Sequence, residues 1–224
     1  MIAMILAAGR GERMGQLTRN TPKPLLKIKG KPLIVYQIES LVIAGVEKII
    51  INTGRLGDQI CETLGSGENY NVDIQYSDEG TSPLETAGGV VKALPLLGKK
   101  SFILTNADIF TNFDYCSLPK NLGSYDAHIV LVNNPKHNLD GDFVLKNGQV
   151  LDSGSNMLTY SGIGLFHPRF FKKYMPEKEH FPLAPLLHKS IEDQTLSGQN
   201  FLGYWSDIGT PERLDEINEQ YKST

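Results

Sequence analysis

What the chain has little of narrows its function before any motif is read. It holds two cysteines, Cys61 and Cys116, at no metal-like spacing. That argues against a disulfide framework or a thiolate metal site, and for packing residues in a reducing compartment. Basic charge is not in excess: 22 Lys and Arg stand against 25 Asp and Glu, a formal net charge of −3. Nucleic acid is therefore not an expected partner. No apolar run approaches the roughly 20 residues that span a bilayer, so no membrane partner is expected either. The apolar N-terminus has no positive lead-in and ends at Gly9-Arg10-Gly11-Glu12-Arg13, unlike a secretory signal. A cytoplasmic protein is the expectation. The 5 histidines, at 128, 137, 167, 180 and 188, include no pair at helical ligand spacing, and none is assigned a metal role.

What is present is an alternation. Residues 2–8, IAMILAA, form a continuous apolar run of the kind a buried parallel strand shows. Residues 32–45 have helical length, a proline near the start and a glycine at the end. Further strands are expected at 48–54, 72–78 and 101–108, with helices at 56–67 and 83–97. The pattern predicts an α/β fold, a mostly parallel sheet with helices on its faces. Beyond residue 110 strands crowd together at 127–133, 142–146, 149–153 and 156–168, with a hairpin turn at Asn147-Gly148. Helices follow at about 168–176 and 182–195, then a last strand at 200–205. Thr210-Pro211 opens a final helix to about 222. No linker is visible, so 1–224 reads as one domain.

The glycines after the first strand point to a phosphate ligand, and three templates compete for them. A dinucleotide fingerprint needs a third glycine where Met14 stands, and a bulky side chain there spoils close helix–strand packing. A P-loop needs Gly-Lys-Ser/Thr, which neither Gly9 nor Gly11 reaches. A kinase loop needs downstream HRD and DFG motifs, and both are missing. What remains is a glycine turn able to aim backbone N–H groups at an anion, followed by Arg13 and by Lys23 between two prolines. Arg13 offers a planar fork for phosphate oxygens. Pro22 and Pro24 are expected to hold Lys23 in a stiff extended segment, pre-aimed at one phosphate.

With these residues in view, residues 6–34 (LAAGRGERM…TPKPLLKIKGKPLI) resemble the signature of the sugar-phosphate nucleotidyltransferases. The likeness continues in PLETAGGVVKALPLL (83–97), ILTNADIF (103–110) and YWSDIGTPERL (204–214). The resemblance implies a Rossmann-like, GT-A-like nucleotidyltransferase fold with a nucleotide half (1–110) and a smaller strand-rich sugar-phosphate half (111–224). It implies transfer of NMP from an NTP to a sugar 1-phosphate, with Mg²⁺ as cofactor. Within the family, DEGTSPLETAGG, HNLDGDFVL, LTYSGIGLFHP and FPLAPLLHKSI are most similar to the branch that joins UTP and N-acetylmuramate 1-phosphate in peptidoglycan recycling. Guanylyl transfer to mannose 1-phosphate is the alternative. A non-catalytic nucleotide-sugar sensor is the remote one, and it predicts a broken metal pair. Monomer and dimer both stay open.

The same resemblance assigns roles. Asp108 and Asp207 would bind the metal. Lys23 would contact the phosphates at the reacting centre, and Arg13 the leaving pyrophosphate. Ala7, Ala8, Gly9, Gly11 and Glu12 would line the nucleotide, and Gly88 and Gly89 would let the base or ribose approach closely. Glu79 reads equally as an acceptor for uracil N3–H or as a turn residue. Asn106, Gly141, Asp142, Ser161 and Gly162 match sugar-facing positions, or plain turn and strand chemistry. Two departures stand out. Gly15-Gln16 replaces an Arg-Pro that many members carry, and no lysine occurs in DSGSNMLTYSG, residues 152–162.

Overall fold

In the computed structural model, which describes residues 1–220, the apolar runs become the strands of one sheet. In chain order the elements are β1 (Ile2–Leu6), β2 (Lys27–Ile28), β3 (Lys31–Pro32), α1 (Leu33–Ile43), β4 (Lys48–Thr53), α2 (Gly57–Leu64), β5 (Asp73–Asp78) and α3 (Glu85–Leu97). There follow β6 (Phe102–Asn106), β7 (Ile109–Thr111), β8 (Ala127–Val132), β9 (Val144–Lys146), β10 (Gln149–Leu151), β11 (Thr159–Phe166), α4 (Pro168–Tyr174), α5 (Ala184–Glu192), β12 (Leu196–Phe201), β13 (Trp205–Asp207) and α6 (Pro211–Gln220). The sheet has nine strands in the order β5-β4-β1-β6-β11-β8-β12-β10-β9. Its first four strands are parallel; β11 and β10 run against the rest. It is the mixed, mostly parallel sheet that the alternation predicts.

Both faces of the sheet are covered, which is why its central strands read as unbroken apolar runs. Ala3, Ile5, Ile49 and Ile51 point to one face, where Ile34, Ile38 and Leu41 of α1 and Ile60 of α2 close over them. Met4, Ile50 and Leu104 point to the other, against Val90 and Ala93 of α3, Phe170 and Phe171 of α4 and Leu187 of α5. A third, smaller cluster joins Met14, Leu26, Leu33 and Phe110 to Leu214 and Ile217 of α6.

The end of the chain departs from the expected strand at 200–205. β12 begins earlier, at Leu196, and stops at Phe201; β13 begins at Trp205 on a separate two-stranded ribbon with β7. The polar residues Ser197, Gln199 and Asn200 give no apolar run, and the strand exists because β8 pairs with it in parallel from Leu196↔Ala127 to Phe201↔Val132. Tertiary pairing overrides local propensity here. Gly203 allows the break: a Cβ there would lie 2.3 Å from the Phe201 ring. The final helix is described to Gln220, and its expected continuation to 222 lies outside the described residues.

Candidate active site

The site grows from the carboxyl ends of β1 and β6, the edge where open α/β sheets bind ligands. These neighbours are in register at Leu6↔Asn106, so the loops after them emerge side by side. The Ala107 N–H donates to the Leu6 carbonyl at 3.0 Å. The Ala7 N–H donates to Asn52 Oδ1 at 2.7 Å, which fixes where the glycine loop leaves the sheet. Gly11 then turns with φ +64°; a Cβ there would lie 3.1 Å from Thr18 Cγ2 and 3.2 Å from Lys23 Cβ. Thr18 Oγ1 closes the loop by donating to the Gly11 carbonyl at 2.8 Å. Met14 does more than displace a glycine: at 1% exposed, it anchors this loop in the third cluster. Gly15 adopts φ 57°, ψ −121°, a turn conformation that residues with a Cβ avoid.

Lys23 is held stiffly, but not in an extended segment. It opens a single 3₁₀ turn, Lys23–Leu25, closed by Leu25 N–H to the Pro22 carbonyl at 2.9 Å and Leu26 N–H to the Lys23 carbonyl at 3.1 Å. The turn seats Pro24 in the interior and brings the Lys23 ammonium onto the Asp108 carboxylate.

Asp108 and Asp207 are brought together by the ribbon. Asp207 is opposite Ile109 in the β13/β7 ladder, and the Ile208 N–H donates to the Asp108 carbonyl at 2.7 Å. Each carboxylate already holds a cation. Asp207 accepts from Arg213 Nη1 at 2.5 Å, and His137 Nε2 lies 3.1 Å from the same oxygen. Gly209 makes room for that guanidinium, since a Cβ there would lie 2.1 Å from Arg213 Nη2. Thr210 caps α6 as expected, its Oγ1 accepting from the Arg213 N–H at 3.5 Å. Among the described residues, no group of three or more His, Cys, Asp or Glu side chains converges as a complete metal cage. The two aspartates, at neighbouring backbone positions of the ribbon, offer the hard oxygen donors that suit Mg²⁺, which completes its shell with substrate phosphates and water.

A cleft of about 480 Å³ runs along this edge. Of the sequence-predicted residues it gathers Ala7, Ala8, Gly9, Gly11, Glu12, Arg13, Lys23, Glu79, Asn106 and Asp108. Asp207 borders it through the ribbon, with Gly209 in the lining. A larger hollow of about 840 Å³ on the far side of the loop contains Arg19, Arg55 and Asp58 but neither Lys23 nor the aspartates. The smaller cleft, which gathers Lys23 and Asp108, is therefore the candidate site for the chemistry.

Other predicted residues serve the scaffold around it. Glu79 is 7% exposed, and its oxygens accept from Asn52 Nδ2 at 2.7 Å and Leu84 N–H at 2.8 Å. Gly89 permits this, because a Cβ there would lie 2.3 Å from Glu79 Oε1. Gly88 faces the 178–181 segment instead: its Cβ would lie 2.3 Å from the Glu179 carbonyl oxygen. Asp142 accepts from Tyr160 N–H at 2.8 Å and Asn138 Nδ2 at 3.1 Å, pinning the loop that carries His137. Gly141 turns that loop with φ +70° against Asn134. Ser161 is 1% exposed, donating to the Val130 carbonyl at 2.8 Å. Gly162, with φ +77°, sits in the β11 bulge, where a Cβ would lie 2.6 Å from Asn106 Nδ2.

The nucleotidyl transferase family matches residues 2–141, more than half of the chain. The chain belongs to the nucleotidyl transferase family. The N-acetylmuramate alpha-1-phosphate uridylyltransferase of Neisseria meningitidis serogroup B is 46% identical to it over 226 residues, covering 96% of each chain. The mannose-1-phosphate guanyltransferase of Hypocrea jecorina is 31% identical, and the chain spans 61% of that protein's length. Among solved structures, a Bacillus anthracis protein in complex with sucrose superimposes with a TM-score of 0.85 at 19% identity, covering 100% of this chain and 96% of that one. HddC from Yersinia pseudotuberculosis, complexed with GMP-PN, gives a TM-score of 0.79 at 22% identity, covering 98% of this chain and 99% of its own. These two likenesses concern the fold.

This nucleotidyltransferase relies on residues that motif reading passes over. Asn52 links the glycine loop to Glu79. Arg213 holds Asp207. Gln37, 2% exposed on α1, donates to the Ile109 carbonyl at 2.7 Å and accepts from Tyr115 Oη, so it supports the Asp108 turn from beneath. Burial pushes the Tyr115 hydroxyl pKa far up, keeping it a donor. A glutamine on the apolar stripe of α1 is the one sequence signal that marks Gln37. Arg213 lies inside the YWSDIGTPERL segment but draws no role from it, and Asn52 leaves no signal at all.

Proposed function

We propose that this nucleotidyltransferase transfers UMP from UTP to N-acetylmuramate 1-phosphate, releasing pyrophosphate, in peptidoglycan recycling. The observation that carries this reading is the 46% identity spread over 96% of both chains in the uridylyltransferase relative. The reaction is in-line attack by a sugar 1-phosphate oxygen on the α-phosphorus of the NTP. A phosphate monoester, with a second pKa near 6, is already mostly dianionic at neutral pH, so the attack needs no general base. The task is to bring two anions together, by position and charge neutralisation.

The chain's own groups divide this work. The backbone from Ala7 to Gly11 lines the nucleotide, with Glu12 beside it. Arg13 is exposed at the cleft and has no ion-pair partner among the described residues, which leaves its fork free for the leaving pyrophosphate. Lys23 lies between the nucleotide loop and Asp108, placed to hold the sugar phosphate against the α-phosphorus. Asp108 and Asp207 would hold Mg²⁺, which supplies neutralisation of phosphate charge when bound. Glu79 keeps a lone pair on each oxygen for a uracil N3–H and also fixes the wall of the base end. Gly88 and Gly89 shape α3 beneath it. Asn106, Gly141, Asp142, Ser161 and Gly162 build the sugar side, chiefly by holding the β11 bulge and the 133–142 loop. Residues 1–110 form the nucleotide half and the later strands the sugar half. The two free thiols, Cys61 and Cys116, suit a cytoplasmic setting.

Pyrophosphate release tests the reading across UTP and GTP, each paired with N-acetylmuramate 1-phosphate and mannose 1-phosphate in the presence of Mg²⁺. Turnover is expected with UTP and the muramate substrate. Turnover with GTP and mannose 1-phosphate, while the first pair stays inert, would replace this reading with guanylyl transfer.

A further inference from the structure

Glu85 opens α3 with φ +61°, in the left-handed region that is disfavoured for any residue with a Cβ. The backbone before it is tied down, with the Leu84 N–H donating to Glu79 Oε2 at 2.8 Å and the Leu84 carbonyl accepting from the Phe181 N–H at 3.2 Å, but the Glu85 side chain takes no part in holding the turn. The carboxylate is exposed at the cleft wall and makes no hydrogen bond or ion pair among the described residues. An acid in the first turn complements the helix dipole, but it does so equally well with ordinary helical φ near −60°.

The cleft around Glu85 is polar along its length. Glu79 and Glu85 stand at the β5–α3 end; Lys23 and Asp108 stand at the β6 end. The sheet order β5-β4-β1-β6 puts three strand spacings between these ends, roughly 14 Å. A nucleoside triphosphate has the same polarity. Its phosphates are repelled by unpaired carboxylates, while its nucleoside offers O–H and N–H donors. Glu79 already accepts one protein N–H on each oxygen. Among the described residues, Glu85 is the carboxylate at that end without a partner.

We propose that Glu85 is a specificity-determining residue whose carboxylate accepts a hydrogen bond from the nucleoside of the bound NTP, and that its left-handed backbone is retained to present it there. The assignment rests on the uridylyl-transfer reading for the identity of the nucleoside. The donor is a ribose hydroxyl or the uracil N3–H, one chemistry from two sources.

Equilibrium binding of UTP to the full chain and to Glu85→Ala and Glu85→Gly tests it. Both substitutions remove the carboxylate, and glycine also relaxes the backbone. UTP affinity is expected to fall about tenfold in each, the loss of one charge-assisted hydrogen bond. The melting temperature of Glu85→Gly is expected to equal or exceed that of the unsubstituted protein, since glycine adopts positive φ without strain. The 2′-deoxy, 3′-deoxy and N3-methyl analogues of UTP identify the donor: the one lacking it should bind the unsubstituted protein and Glu85→Ala equally. Unchanged UTP affinity in Glu85→Gly overturns the proposal, and so does an equal loss for UTP and all three analogues. If the unsubstituted protein prefers GTP to UTP, the uridylyl reading fails instead. The same substitutions measured with GTP and its deoxy analogues then decide the role of Glu85 separately.

Discussion

Replacing Gly89 by alanine adds one methyl group to a helix, where alanine is normally the better residue by about 1 kcal/mol. Here the added Cβ would lie 2.3 Å from Glu79 Oε1 and 2.9 Å from Asn52 Nδ2. The carboxylate is the mobile partner, so it must swing away. In doing so it releases the bonds from Asn52 Nδ2 and the Leu84 N–H, both made by a side chain only 7% exposed. Each such loss costs about 1–3 kcal/mol. Against the gain in helix propensity, the net destabilisation is about 1–5 kcal/mol, a fall in melting temperature of roughly 2–20 °C for a domain of this size. Asn52 also holds the Ala7 N–H, so the nucleotide loop loosens and UTP binding weakens with the fold still intact. Thermal unfolding and UTP titration measure the two effects. A double-mutant cycle sharpens them: in a Glu79→Ala background the clash has no partner, and Gly89→Ala should become neutral or stabilising. Equal destabilisation by Gly89→Ala with and without Glu79 would refute the mechanism.

Three further outcomes follow from the geometry. Asp108→Asn should cut pyrophosphate release by roughly 10²–10³-fold with secondary structure unchanged by circular dichroism; near-full activity would remove Asp108 from the proposed metal site. Arg213→Met leaves Asp207 with the His137 imidazole as its neighbour, and should lower stability by about 1–3 kcal/mol without Mg²⁺, with part regained at saturating Mg²⁺; a melting temperature that ignores both changes would refute the counter-ion role. His128 lies between Ser197 and Gln199, and burial lowers its pKa below the ordinary 6.5. The unfolded chain thus takes up a proton first as pH falls through about 6.5, so stability should decline from there down to the depressed folded pKa. His128→Asn should flatten that part of the melting-temperature profile, and an unchanged profile would assign the decline to other groups.

The parts of this fold that were legible in the sequence are those where one local signal suffices. Ala3 to Ile5 and Ile49 to Ile51 are apolar at every position because both faces of their strands are covered, and a continuous run is all that such a strand needs. The glycine loop and the two aspartates were readable because family motifs carry them. What stayed hidden depends on partners distant in sequence. β12 is a strand because β8 lies beside it. Lys23 sits in a turn because Pro24 finds a buried seat. Gly89 looks like a ligand-facing glycine until Glu79 is placed against it. Glu85 shows nothing unusual in one dimension; its φ angle is what singles it out.

The proposed reacting centre is a seam between two parts of the chain, joined by the ribbon of β7 and β13. Asp108 ends the parallel half, and Asp207 arrives some hundred residues later, after the strand-rich half has been completed. The ribbon brings two carboxylate-bearing positions of the backbone together, and each carboxylate needs a counter-charge. The chain answers with one cation from each direction: Lys23 from the nucleotide side onto Asp108, and Arg213 from α6 onto Asp207. His137 adds a contact from the 133–142 loop, which Asp142 ties to β11. The aspartates are thus preorganised before any substrate enters. A divalent cation bound between them would take over their neutralisation, leaving the Lys23 ammonium, on its rigid turn, available to phosphate oxygens. Under this arrangement metal affinity and Lys23 availability are linked: a substitution that removes the Lys23 charge should strengthen metal binding while abolishing turnover. A neutral surface residue in either half should do neither.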